Sequence, residues 1–139
     1  MNSTCRFAFS ILAACGALAS TGLHADDAPA RLSRDELAAF LPGTEVAHVS
    51  RAGSLRRWKN EADGTFVASS DNKKYGSATG SSYASASGTW RVSDEGRYCI
   101  QIDWRKEAES WCSYIVKGPD GSFYLGTVDD ARRIEFKRP

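Results

Sequence analysis

The stretch "YCIQIDWRKEAESWC", residues 98–112, decides the fold class. Tyr98, Ile100, Ile102 and Trp104 alternate with Cys99, Gln101 and Asp103, the period of two that marks a strand with one buried face. A second extended run follows the polar "RKEAE" and reaches Lys117, so the two runs read as neighbouring antiparallel strands with one cysteine on each. Setting Cys99 directly opposite Cys112 requires a two-residue turn at Arg105-Lys106, a poor turn pair. The pattern therefore predicts a longer connection with a bulge or a shifted register.

Working outward, the same period recurs in Thr44–Val49, Ser54–Asn60, Thr65–Ser69, Thr89–Val92, Ser122–Gly126 and Arg132–Lys137. Three joints, "EADG", "SDEG" and "GPDG", end in a glycine that accepts positive φ, as tight turns require. Short strands at this spacing predict an all-β, antiparallel domain, a small barrel or sandwich of about eight strands. In "SLRRWKN" Leu55 and Trp58 fall on opposite parities, which predicts a bulge or an edge strand there. Ahead of the strands, "SRDELAAFLPG" carries a capping box at Ser33 and Glu36 and an apolar face of Leu37, Phe40 and Leu41. Pro42 and Gly43 end this one short N-terminal helix, which needs a larger body to pack on.

The segment "YGSATGSSYASASG", residues 75–88, is made of small residues apart from Tyr75 and Tyr83. It reads as a surface loop whose last residues lead into the strand at Gly88-Thr89-Trp90. The alternative is a flap that presents the two tyrosines beside a barrel opening.

The N-terminus follows the order of a secretory signal. Arg6 precedes an uncharged run from Phe7 to Leu23, then "LHA" and the acids Asp26 and Asp27. Cleavage after Ala25 gives a signal peptide at 1–25, a flexible start at 26–32 and a single domain at 33–139. "LAAC", residues 12–15, also matches a lipobox, which would anchor the chain to the envelope through a lipidated Cys15. The soluble exported form is favoured, because the apolar run continues well past Cys15. A periplasmic or secreted location follows on either route.

Export makes the cysteines readable. Of four cysteines, Cys5 and Cys15 lie in the leader, so Cys99 and Cys112 alone remain in the domain and point to one disulfide ahead of free thiols. His48 is the one histidine outside the leader, too few for a Cys/His zinc site. Arg6 is the only lysine or arginine removed, so 18 basic residues fall to 17 and balance the 17 acids. A neutral domain without a basic block does not fit a nucleic-acid binder, and it has no apolar stretch suited to spanning a bilayer.

Catalytic signatures are thin. There is no G-x-S-x-G elbow, no H-E-x-x-H and no phosphate loop, and the sequence implies no metal and no cofactor. His48 sits in the strand "EVAHVS" and reads as a half-buried structural residue. The acid pairs Asp94/Glu95 and Asp129/Asp130 lie in turns and connections, not facing each other across a cleft. Aromatics are the richer signal. Trp90 and Trp104 read as core, while Trp58, flanked by Arg56, Arg57 and Lys59, fits the core or a cationic rim. The candidate ligand-binding set is Trp58, Tyr75, Tyr83 and Trp90.

The ordered set "SRDELAAFLPGTEV", "SGTWRV", "GRYCIQIDW", "WCSYIV" and "DGSFY" resembles a family of small secreted bacterial proteins of unknown function. That family carries a G-T-W…C…W…C core, and the likeness covers most of residues 33–126. The resemblance implies a lipocalin-like antiparallel barrel with a disulfide, and it implies no activity or catalytic residue. The functional expectation is a non-enzymatic binding module for a small ligand or a secreted or envelope protein partner. A structural or lipid-anchored envelope protein and a secreted hydrolase using paired carboxylates are the alternatives.

Overall fold

A computed structural model describes residues 29–72 and 84–139. The leader, Cys15, Tyr75 and Tyr83 lie outside the described residues. Among the described residues, ten strands form one antiparallel sheet that curls into a half-barrel. They are β1 (Ala30–Arg31), β2 (Glu45–Val49), β3 (Leu55–Lys59), β4 (Thr65–Ser70), β5 (Ala84–Val92), β6 (Tyr98–Asp103), β7 (Ala108–Ser113), β8 (Ile115–Lys117), β9 (Phe123–Leu125) and β10 (Arg133–Lys137). The order across the sheet is β1-β8-β9-β10-β2-β3-β4-β5-β6-β7, leaving β1 and β7 as edges. The two additional strands relative to the expected eight arise from β1 and from a break at Tyr114 that divides the run ending at Lys117 into β7 and β8.

The helix α1 (Arg34–Phe40) begins with the expected capping box: Ser33 Oγ accepts from the Glu36 amide, and the Ser33 amide donates to Glu36 Oε2 at 2.7 Å. Hydrogen bonding of the Glu36 carboxyl to the Ser33 amide, and then to the Ser33 side chain, holds it below the usual carboxylate range. Leu37 and Leu41 are fully buried against the sheet, as a two-turn helix requires. Gly64, Gly96 and Gly121, the last residues of the three turn motifs, all have positive φ near 80°.

The inward faces follow the alternation read from the sequence. Tyr98, Ile100, Ile102 and Trp104 are all buried, and Ile134 joins them across the sheet. Two local expectations are corrected. Strand β3 is neither bulged nor at an edge: it pairs in unbroken register from Val49↔Leu55 to Glu45↔Lys59 on one side and with β4 on the other. Its inward residues are Arg56 and Trp58, so the opposite parities of Leu55 and Trp58 reflect an arginine on the inner face and not a bulge. Cys99 and Cys112 face each other directly and are joined as a disulfide, with no shift in register. The pairing ends at Asp103↔Ala108, so the connection spans residues 104–107, and direct opposition of the cysteines needs no two-residue turn at Arg105-Lys106.

Small residues in β5 also have a packing reason. A Cβ on Gly88 would lie 2.1 Å from the ring of Phe66 and 2.7 Å from the Gln101 carbonyl oxygen. The run of small side chains therefore belongs partly to a strand, beginning at Ala84, and not wholly to a loop.

The two ends of the half-barrel differ. At the end where α1 sits, a buried hydrogen-bonded chain joins helix to sheet. Thr44 Oγ1 donates to the Leu41 carbonyl (2.7 Å), Asn60 Nδ2 to Thr44 Oγ1 (3.2 Å), and Trp58 Nε1 and the Tyr98 hydroxyl both to Asn60 Oδ1 (3.1 and 2.8 Å). Burial pushes the Tyr98 phenol well above its ordinary range. The other end carries the β2–β3 turn, the 104–107 connection and a 3-10 turn at Asp130–Arg132, and it is open.

Candidate ligand cleft

At that open end a cleft of about 930 Å³ separates edge strand β7 from β9 and the 3-10 turn. Its inner side is built from five residues on four segments. Strand β3 turns Arg56 inward because Arg56 shares parity with the core residue Trp58. Strand β7 supplies Glu109 and Trp111 from the same parity, β2 supplies His48, and the 104–107 connection supplies Trp104.

Arg56, Glu109 and Trp104 satisfy one another. Arg56 Nε donates to Glu109 Oε2 at 3.1 Å, with the two side chains 3% and 22% exposed. A second guanidinium nitrogen donates to the Ser70 hydroxyl. Trp104 Nε1 donates to the same Glu109 oxygen at 2.9 Å, while its ring lies under the Arg56 guanidinium at 4.8 Å. The charge of Arg56 is thus met by a carboxylate, a hydroxyl and a π face, the company a buried guanidinium requires. Glu109 Oε1 keeps its acceptor capacity towards the cleft.

His48 stands beside this group. Its Nδ1 lies 3.4 Å from the Arg133 carbonyl and must donate to it, which leaves Nε2 as the acceptor of the neutral ring. Burial holds its pKa below the ordinary imidazole value, and Arg56 acts in the same direction, against the smaller opposing pulls of the Arg133 carbonyl and Glu109. Its ring meets Trp111 edge-on with centroids 5.8 Å apart. Trp111 Nε1 is buried and has no hydrogen-bond partner.

Of the sequence-predicted ligand residues, Trp58 and Trp90 fall elsewhere, while Tyr75 and Tyr83 lie outside the described residues. Trp58 is buried in the core, stacked on Phe66 with ring centroids 5.3 Å apart, the first of its two readings, and Arg56 lies over the ring of Trp104. Trp90 is half-buried and donates from Nε1 to the Glu61 carbonyl at 2.8 Å. Neither borders the cleft. The acid pairs are on the surface: Asp94 meets Arg34 at 3.5 Å, and Asp129 accepts from the Ala131 amide. Among the described residues, no three histidines, cysteines or acids gather as a metal site.

Arg56, Glu109, His48 and Trp111 did not enter the predicted ligand set. The usable signal was parity. In "LRRWK" an arginine shares a face with a tryptophan, and in "AESWCS" a glutamate does. Two opposite charges on the inward faces of two strands can come together only inside the sheet.

No curated protein and no solved structure matches this chain. A family model does match, over residues 14–124, a span that includes Cys99, Cys112 and the whole of β7. The chain belongs to DUF995, a protein family of unknown function.

Proposed function

We propose that this protein is an exported, non-enzymatic binding module and that the cleft between β7 and β9 is its ligand site. The observation that carries this reading is the cleft itself. Its volume of about 930 Å³ suits a small ligand or a peptide segment. Two tryptophans border it, together with acceptors at Glu109 and His48, the mixture of apolar wall and a few polar groups typical of binding sites. A lipocalin-like use of the open end of a curled sheet agrees with this, as does the leader-like sequence at 1–25. The Cys99–Cys112 disulfide is compatible with an oxidising compartment. No helix among the described residues is long and apolar enough to cross a membrane.

A fragment library screened by NMR against the oxidised protein tests the reading. Binders should shift the indole signals of Trp104 and Trp111 and leave those of Trp58 and Trp90 in place. If hits shift Trp90 alone, or if no fragment or peptide moves the cleft tryptophans, the cleft is not a ligand site. The mass of the exported protein tests the processing: a start at Asp26 fits a cleaved signal, and an acylated Cys15 fits the anchored form.

A further inference from the structure

The two edges of the sheet are unlike. Strand β1 has two residues and ends in the charge of Arg31, the blunted form in which natural edges resist pairing. Strand β7 has six residues and no proline, and its single charge, Glu109, is engaged with Arg56. Among the described residues only β6 pairs with β7, so its other side offers an unpaired row of backbone donors and acceptors. That side gives onto the cleft. Every residue from 107 to 113 borders it, whereas a strand facing a cavity with one surface contributes alternate residues. The cleft therefore runs along the edge of β7. It ends near Ser113, where the Gly126 amide donates to the Tyr114 carbonyl at 2.8 Å.

We propose, resting on the cleft as the binding site, that its ligand is an extended acidic peptide segment that adds to β7 as a further antiparallel or parallel strand. Extended backbone is the chemistry that matches an unpaired strand edge, through alternating N–H and C=O groups. The acidic preference comes from the opposite side of the cleft. Arg51, in the β2–β3 turn, and Arg132, in the 3-10 turn, line it there. Of the acids that border the cleft, Glu107 directly precedes β7, Glu109 on β7 pairs with Arg56, and Asp129, whose Oδ1 accepts from the Ala131 amide, is the one acid beside the two arginines. Side chains on one face of an added strand would point into the interior towards Trp111 and His48. The disulfide fixes β7 to β6 at Cys112, so the edge is held in place before the ligand arrives.

The test uses the oxidised protein and a blocked heptapeptide of alternating valine and glutamate, followed by backbone NMR. The peptide should shift and protect amides of β7. N-methylation of its odd-numbered or of its even-numbered residues removes the donors of one side only. One set should weaken binding by about tenfold or more, and the other should change it by less than about twofold. Equal loss from both sets, or loss from neither, overturns strand addition. The double variant Arg51→Glu/Arg132→Glu should weaken the glutamate peptide by about tenfold and favour its lysine counterpart. No such reversal overturns the acidic preference. Fragments that shift Trp104 and Trp111 while no peptide shifts β7 would overturn this inference and leave the binding-module reading standing. Shifts in β7 that depend on protein concentration alone, with a dimer in sedimentation, would overturn it in favour of a second copy of this chain.

Discussion

Arg56 and Glu109 sit on strands that are far apart in the chain, and each accounts for the other's presence inside the sheet. A guanidinium stays charged at any accessible pH, so its burial depends on its partners. Removing one member of such a pair costs about 3–5 kcal/mol when both are fully buried. Here Glu109 keeps contact with water, which moderates the effect. We expect Arg56→Met and Glu109→Gln each to destabilise the fold, with a coupling of about 1–3 kcal/mol in a double-mutant cycle read by urea unfolding. A coupling near zero would mean that the pair behaves like an exposed one.

His48 gives the same site a pH dependence. Burial favours its neutral form, so the unfolded chain binds the proton more tightly than the folded one. The stability it contributes is present above the unfolded value near 6.5 and is lost as pH falls from there through the lower folded value. Urea midpoints should therefore fall between about pH 7 and pH 5, and fall less steeply in His48→Gln. Identical slopes in the two proteins would remove His48 from the account.

Elements show how much the sequence carried. The period of two, the turn glycines and the capping box placed α1 and most of the strands, because each is a local property of backbone and side chain. The partition of "LRRWKN" was not legible, since an inward arginine is indistinguishable from an outward one until its partner strand is known. The register of the cysteine hairpin depended likewise on where the ladder ends, since a four-residue connection at 104–107 keeps the direct pairing without the poor two-residue turn. In β5 the small residues look featureless in the sequence, and only the Phe66 ring shows why Gly88 is required. Gly88→Ala should destabilise the protein by about 1–3 kcal/mol in thermal or urea unfolding. Shortening Phe66 to leucine in the same chain should recover only part of that, because the Gln101 carbonyl remains in the way.

Strand β7 is the element most dependent on a single bond. It has one neighbouring strand, none of its residues is fully buried, and the disulfide at Cys112 ties it to β6. In the chain-entropy account, closing a loop of this length contributes about 3 kcal/mol. The double variant Cys99→Ser/Cys112→Ser should lower stability by about 2–4 kcal/mol, and amide exchange should quicken first in β7. Exchange that quickened evenly over the whole sheet would show that the disulfide stabilises the fold without specifically holding its edge.

Across the whole molecule, the polar interior is divided between two ends. At the helix end, Thr44, Asn60, Trp58 and Tyr98 exchange hydrogen bonds only among themselves and with Leu41, a closed arrangement with nothing left to offer a ligand. At the open end, Glu109 Oε1 and His48 Nε2 keep acceptor capacity and Trp111 Nε1 lacks a partner, an arrangement that stays incomplete without a further group. Stability and binding should therefore separate along the axis of the half-barrel. Tyr98→Phe removes a hydroxyl that both donates to Asn60 and accepts from Trp58, and should cost about 1–2 kcal/mol of stability. Because that hydroxyl lies away from the cleft, the same variant should bind cleft ligands with unchanged affinity at a temperature where both proteins are folded. Trp111→Phe keeps a six-membered aromatic ring but removes the unpartnered donor together with the second ring of the indole, so it should lower the unfolding midpoint modestly through lost packing and weaken any ligand that accepts from Nε1. Calorimetric titration alongside thermal unfolding of the two variants decides the matter. If Tyr98→Phe weakened binding as much as it weakened the fold, the two ends would be one cooperative site, and the division of labour argued from their hydrogen bonds would not stand.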